Sequence, residues 1–243
     1  MIMKKLILSL MVLLAAASIL AQDLTLDQVL EKHFKTIGQD NLTKLQSMKM
    51  NGKVFQMGME FPYTMIMKRP NMVRMDFEVQ GKSIVQAYDG QIGWQIIPFS
   101  SPDPQDMNPD QLKQMKQNAD MDGMLYNWKE KGSKLELIGK EDLEGAPAFN
   151  LKLTTIDNDI MNYFIDAENF IILKVKAKVN VEGKTIDSET IFSNYKQLNG
   201  MTFPFSMETK AGGVTGMQLT IDTIAFEVPI DLSRFSKPVS AKQ

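Results

Sequence analysis

The sequence predicts a mainly β fold: one large antiparallel sheet, curled or barrel-like, with an N-terminal helix and a helical insert that can lie across it. Three observations predict this class. Strand-like runs recur at hairpin spacing, pairs such as Asp89-Gly90 and Asn199-Gly200 separate them, and no helices alternate with the strands. Alternating helices would indicate a parallel sheet, whereas hairpin spacing indicates an antiparallel one.

The first 21 residues have the pattern of a secretory signal peptide. Lys4 and Lys5 provide the positive start, Leu6 to Leu20 carries no charge, and Ala21 suits the residue before a cleavage site. The alternative, a transmembrane anchor, needs roughly 20 apolar residues, more than this run supplies. We therefore expect cleavage near Ala21, export to the periplasm, and a mature chain, residues 22–243, that folds as a single domain.

Composition argues against several kinds of site. The 243-residue chain has no cysteine and one histidine, His33, so we expect no disulfides and no zinc or copper site. A formal net charge of −2 and the lack of a basic stripe give no reason to expect a nucleic-acid partner. Asp157 and Asp159 resemble the start of a calcium loop, but they lack its glycine and distal glutamate and indicate a hairpin turn. We expect no enzyme activity, no metal and no cofactor.

The N-terminal helix is predicted over residues 25–37. Thr25 and Gln28 form a capping-box pattern, and Gly38 is a typical helix stop. The apolar stripe on this helix consists of Leu26, Val29, Leu30, Phe34 and Ile37.

A methionine-rich meander comes next. Its strands are predicted at residues 48–57, 61–67, 73–79, 84–88 and 94–98. Apolar and charged side chains alternate in residues 73–79, as in a half-buried strand. Lys68-Arg69-Pro70-Asn71 interrupts the meander at a proline corner, and Asp89-Gly90 indicates a two-residue hairpin.

A loop and a helix separate the meander from the second half of the sheet. Residues 99–109 are rich in proline and poor in apolar side chains, which predicts a surface loop. A cap, a first-position proline and a third-position glutamine start a helix at Asn108, and Gly123 would end it. Leu112 and Met115 lie on its apolar face. Further strands are predicted at residues 134–139, 149–154, 161–165, 171–181, 185–192, 203–209 and 217–226.

Methionine is the most unusual feature of the mature chain. Eight methionines lie between Met48 and Met75, and four more lie in or near the helical insert. Methionine fills cores, but it also suits surfaces that accept variable apolar partners. Clustering on two elements that can face each other favours the second interpretation for the group.

Arg69 ends the apolar face of the strand over residues 61–67. A cation in that position needs partners, because burying an unpaired charge is costly. Two interpretations remain: a plain surface ion pair, or a guanidinium that binds the carbonyls at the end of a covering helix.

The ordered set Lys68-Arg69-Pro70-Asn71, Asp89-Gly90, Trp94 and Pro98 resembles the periplasmic lipoprotein carrier (LolA-like) family. Tyr163-Phe164-Ile165-Asp166 and the closing segment from Phe235 to Pro238 are similar to the larger lipoprotein-sorting proteins of that superfamily.

The resemblance implies an unclosed antiparallel barrel with helices as a lid, in which Arg69 holds the lid closed by hydrogen bonds. It implies an apolar cavity for acyl chains, and we expect the lining to come from the meander and the insert. The side chains expected there are Phe61, Tyr63, Met65, Met67, Val73, Met75, Phe77, Trp94, Leu112 and Met115.

The implied function is that of a non-enzymatic periplasmic carrier for acylated lipoproteins or other lipids. Its partners would be an inner-membrane donor and an outer-membrane acceptor, and the carrier would act as a monomer. The alternative is a periplasmic lipid- or stress-sensing domain that regulates a partner and transfers no cargo.

Overall fold

The computed structural model describes residues 24–181 and 184–239, so the predicted signal peptide lies outside the described residues. The mainly β class is confirmed, because 13 strands in this described part of the chain form one antiparallel sheet. The helices are α1 (Leu26–Ile37), α2 (Gln39–Leu42) and α3 (Pro109–Asn118), with a short 3₁₀ turn at Leu232–Arg234. The strands are β1 (Ser47–Gln56), β2 (Met59–Lys68), β3 (Met72–Val79), β4 (Lys82–Tyr88), β5 (Gly93–Ile97), β6 (Ser101–Asp106), β7 (Lys134–Leu143), β8 (Ala146–Thr154), β9 (Ile160–Asp166), β10 (Ile172–Val181), β11 (Lys184–Leu198), β12 (Met201–Ala211) and β13 (Val214–Phe226).

The first and last strands pair with each other at the middle of the sheet. The spatial order is β6-β5-β4-β3-β2-β1-β13-β12-β11-β10-β9-β8-β7. The pairing of β1 with β13 runs from Met48 opposite Phe226 to Gln56 opposite Met217, with one register shift after Asn51. Strands β6 and β7 form the two outer edges and do not pair, so the sheet is open, as expected for an unclosed barrel.

Both predicted helix starts are confirmed by their caps. Thr25 and Gln28 exchange backbone-to-side-chain hydrogen bonds of 2.9 and 3.3 Å, and Gly38 closes α1 in the left-handed conformation at φ 72°. Asn108 caps α3 in the same reciprocal way.

The end of α3 was predicted wrongly. The helix stops at Asn118, well before Gly123. The carboxylate of Asp120 accepts a hydrogen bond from the backbone N–H of Asp122 (3.2 Å), and such local bonds compete with helix continuation.

Two further predictions are wrong, one in the meander and one in the stretch that follows it. The proline-rich stretch is not a loop throughout, because Ser101–Asp106 pairs with β5 as a strand. Proline is tolerated there because β6 is an edge strand, where a missing N–H need not break a ladder bond. Asp89-Gly90 is not a two-residue hairpin, because the turn runs from Asp89 to Ile92. The Asp89 carboxylate accepts hydrogen bonds from the N–H groups of Gln91 and Ile92 (2.9 and 2.7 Å), which stabilise this wider turn.

Among the described residues, buried apolar side chains form three clusters, of which the smallest contains Val85, Ala87 and Trp94. A methionine-rich cluster lies against α2 and α3 and includes buried Met48, Met67, Met115 and Met201. A second cluster packs α1, through Val29 and Leu30, against buried apolar side chains of β7, β8 and β9.

Candidate ligand-binding site

Arg69, at the turn between β2 and β3, contacts two separate covering segments. Its Nε and Nη2 atoms donate to the backbone carbonyls of Leu45 (2.7 Å) and Leu42 (3.2 Å), at the end of the N-terminal helices. Its Nη1 and Nη2 atoms also donate to the carboxylate of Asp122, at 2.8 and 2.5 Å. The guanidinium therefore joins the N-terminal helices to the stretch after α3.

We call residues 109–133, α3 and the irregular stretch after it, the lid. Besides Arg69, Gln39 and Asp159 connect the lid to the rest of the protein, and Lys131 forms bonds within the lid. Gln39 Nε2 donates to the backbone carbonyl of Asp122 (3.1 Å), and Lys131 Nζ bonds Asp120 (2.6 Å) and the carbonyl of Gly123 (2.8 Å). On α3 itself, Lys113 Nζ lies 2.5 Å from Asp159, in the turn between β8 and β9.

Arg69 carries its charge at all ordinary pH values. The hydrogen bonds with Asp122 are the main cause that raises the pKa of the guanidinium above its usual value, and desolvation opposes them only in part. The side chains of Arg69 and Asp122 keep 18% and 20% of their surface exposed, so the pair lies at the boundary between solvent and interior.

A cavity of about 450 Å³ lies between the inner face of the sheet, α1, α2 and the lid. Its volume falls within the roughly 300–1,000 Å³ of typical small-molecule sites. Its lining is mainly apolar and draws on both halves of the sheet. The apolar and aromatic side chains are Phe34, Ile37, Leu42, Met48, Met50, Met67, Met121, Met124, Leu125, Tyr126, Tyr163, Ile172, Phe192, Tyr195, Phe203 and Pro204.

The titratable groups of the cavity wall favour neutral or paired states. Burial raises the pKa values of Tyr163 and Tyr195 above the ordinary tyrosine value, so both phenols stay protonated. Burial also lowers the pKa of His33, whose Nδ1 donates to the carbonyl of Phe170 (2.8 Å). Because that carbonyl can only accept, neutral His33 carries its proton on Nδ1.

Among the described residues, no cluster of three or more histidine, aspartate or glutamate side chains could hold a metal ion. Across the same part of the chain, no helix has both the length and the apolar character needed to cross a membrane.

The ten side chains expected to line a cavity fall into three groups. Met67 borders the cavity, and Val73 and Met115 are buried beside it in the methionine-rich cluster. The same cluster is also contacted by three partly buried side chains, those of Met65, Met75 and Leu112.

The aromatic residues of the meander form the second group. Tyr63 pairs across the strands with Phe77, as Met65 pairs with Met75, so these side chains share the inner face. The ring centroids of Phe61 and Tyr63 each lie 6.3 Å from that of Phe77. None of these three rings borders the cavity.

Trp94 lies on the opposite face of the sheet. Trp94 pairs with Ala87, Ala87 pairs with Arg74, and Arg74 pairs with Ile66, so these four side chains share one face. Ile66 is adjacent to Met67, whose side chain is on the inner face, and neighbours in a strand point to opposite faces. The shared face is therefore the outer one. The indole N–H of Trp94 donates to the carbonyl of Phe235 (2.7 Å), so the C-terminal segment covers it.

Several lining residues were missed because they come from the second half of the sheet. Ile172, Phe192, Tyr195 and Phe203 reach the cavity because β1 pairs with β13, and that pairing has no local sequence pattern. Asp122 was also missed as the partner of Arg69, since it follows a helix whose end was misplaced.

An open antiparallel sheet that curves around an apolar cavity under a helical lid defines the class of this protein. Its fold is LolA-like, because it resembles that of a solved LolA superfamily protein. A LolA superfamily protein from Nitrosomonas europaea superimposes with a TM-score of 0.61 at 14% identity, covering 88% of this chain and 98% of that one.

Two other solved structures share the fold. A domain described as an outer membrane lipoprotein-sorting protein, from Vibrio parahaemolyticus, has a TM-score of 0.57 at 11% identity, over 86% of this chain and 97% of that one. A DUF1329 family protein from Desulfovibrio piger has a TM-score of 0.51 at 10% identity, over 86% and 97%. The likeness is structural only: no family model and no curated protein matches the sequence.

Proposed function

We propose that this protein is a periplasmic carrier that shelters the acyl chains of lipoproteins, or of other lipids, for delivery to the outer membrane. The observation that carries the proposal is the apolar cavity of about 450 Å³, closed on one side by a lid that Arg69 contacts. The domain from Vibrio parahaemolyticus that is described as an outer membrane lipoprotein-sorting protein has a similar fold, and this likeness supports the proposal.

The physical need for such a cavity follows from the cargo. Each methylene moved out of water contributes about 0.8 kcal/mol, so an acyl chain does not leave a membrane unaided. An apolar lining offers a comparable environment, and flexible methionine side chains adapt it to chains of different shape. In this proposal the carrier acts as a monomer and uses no catalysis, metal or cofactor.

Arg69 has the role of holding the lid closed in this proposal. Hydrogen bonds to charged groups contribute about 1.5–3 kcal/mol each when buried, and less where solvent screens them. A few such contacts give a two-state element that cargo can open. The inner-membrane donor would load the open form, and the outer-membrane acceptor would unload it.

A transfer assay tests the proposal. Delipidated protein is mixed with donor vesicles that contain a fluorescently labelled diacyl lipopeptide, separated from them, and then given acceptor vesicles. We expect soluble complex after the first step and label in the acceptor after the second. No soluble complex would refute the binding function. Binding without delivery would refute the carrier role and favour a sensor that regulates a partner.

Arg69→Leu sharpens the assay. This variant should fold but change lid closure, so that it either loses cargo early or retains it. Arg234→Leu is the matched control, because Arg234 forms its ion pair with Asp76, on the outer side of the sheet (3.5 Å). If Arg69→Leu binds and delivers like the parent protein, the role of Arg69 is wrong.

A further inference from the structure

Gln39 carries a buried acceptor atom that the protein leaves without a partner. The residue is the first of α2, is 2% exposed and borders the cavity. Its Nε2 atom donates to the backbone carbonyl of Asp122 (3.1 Å), whereas its Oε1 atom has no hydrogen-bond partner. Native proteins rarely leave such a group unpaired unless a ligand or water satisfies it.

The orientation of this amide is fixed by chemistry. A backbone carbonyl can only accept, so the amide nitrogen must face Asp122 and the amide oxygen must be the free atom. Rotating the amide by half a turn would bring two acceptors together. The unpaired group is therefore an acceptor, and it is complementary to a donor.

Gln39 cannot easily turn out to solvent, because its helix is fixed in place. A Cβ atom added to Gly38 would lie 2.0 Å from the carbonyl oxygen of Gly200, so the two backbones are in direct contact. Asn41 adds a hydrogen bond to the same carbonyl at 3.5 Å. A shift of α2 that freed the Gln39 side chain would break this contact.

The two carboxylates of the cavity wall already have partners. The carboxylate of Asp122 is paired with Arg69, and that of Asp120 with Lys131. Around them the wall contains methionines such as Met48 and Met121, whose side chains can change rotamer and let a ligand approach Oε1.

We propose that the cavity selects a neutral amphiphile whose apolar chain fills it and whose N–H or O–H group donates a hydrogen bond to Gln39 Oε1. The inference rests on the proposed apolar-ligand function and adds the class of head group. Fatty alcohols and fatty amides have this donor. Ethers and fully substituted amides of the same chain length lack it.

The test compares hexadecanol with methyl hexadecyl ether, by displacement of a fluorescent apolar probe from the delipidated full-length mature protein. We expect hexadecanol to bind about tenfold more tightly than the ether, the effect of one satisfied buried acceptor. Equal affinities would overturn the inference, since a water at Oε1 would then serve both ligands alike. Failure of both ligands to bind would instead overturn the proposed function.

Two variants assign the preference to Gln39. Gln39→Met removes the acceptor at similar size, and the ratio of the two affinities should fall below about twofold. Because this variant also loses the bond to the lid, Lys131→Met is the control: it loosens the same part of the lid and should keep the preference. If Gln39→Met still binds hexadecanol more tightly than the ether, the assignment of the preference to Gln39 is wrong. If that variant does not fold, the ratio of the two affinities in the wild-type protein decides the inference.

Discussion

Arg69 and Asp122 are 53 residues apart in the chain, yet their side chains form a two-point ion pair of 2.8 and 2.5 Å. The same guanidinium donates to the carbonyls of Leu42 and Leu45. One side chain thus connects the turn between β2 and β3, the N-terminal helices and the lid. A lid that moves away must separate Asp122 from Arg69, whereas the contacts with Leu42 and Leu45 can persist.

We predict that Arg69→Leu loosens the lid without unfolding the protein. Amide hydrogen exchange should become about five- to tenfold faster in residues 119–125, because a partly exposed charged pair contributes about 1 kcal/mol. Asp122→Leu should have the same effect, and the double variant should add little to either. Additive effects of the two substitutions would show that the pair does not act as a unit.

His33 makes stability depend on pH. Burial depresses its pKa in the folded protein, so below pH of about 6.5 the unfolded chain binds a proton that the folded protein does not. The free energy of unfolding should therefore fall as the pH drops below that value, by at most about 1.4 kcal/mol per pH unit. Urea denaturation between about pH 7.5 and 5 measures the slope.

The control for this pH dependence is His33→Gln. Its amide N–H can still donate to the carbonyl of Phe170, but it does not titrate. The variant should lose the contribution of His33 to the slope. An identical pH profile in the two proteins would assign the dependence to other groups.

Gly38 should be far less replaceable than Gly58, although both have positive φ angles, of 72° and 77°. At Gly38 a Cβ atom would lie 2.0 Å from the carbonyl oxygen of Gly200, whereas at Gly58 it would meet nothing within 4 Å. We predict that Gly38→Ala lowers the free energy of unfolding by about 3 kcal/mol or more, and Gly58→Ala by about 1 kcal/mol. Equal losses in urea denaturation would contradict the close contact.

Trp94 should matter for stability and not for ligand binding. Phe235 is fully buried on the outer face and accepts the indole hydrogen bond of Trp94. Trp94→Phe leaves that carbonyl without its donor and should destabilise the protein by about 1–3 kcal/mol. Probe affinity in the cavity should stay within about twofold of the parent. A large loss of affinity in a folded variant would contradict the placement of Trp94 outside the cavity.

Local chemistry made much of the fold predictable. The caps at Thr25 and Asn108 mark both helix starts, because side-chain acceptors satisfy the free N–H groups of a first turn. The alternation of apolar and polar side chains, together with turn residues, predicted most strands. Like the helix caps, these signals act between residues that are close in sequence. The errors at Ser101–Asp106 and after Asn118 arose where position at the sheet edge, or a competing local hydrogen bond, overrode those preferences.

Local sequence patterns were enough to predict the helix starts, most strands, the methionine-rich face and the place of Arg69 at a proline corner. Three other features required the folded structure: β1 pairs with β13, Asp122 is the partner of Arg69, and Gln39 borders the cavity while Trp94 lies outside it. Caps and alternation depend on neighbours in the chain. Strand order, cavity walls and ion pairs depend on residues far apart in sequence, which the folded chain alone brings together.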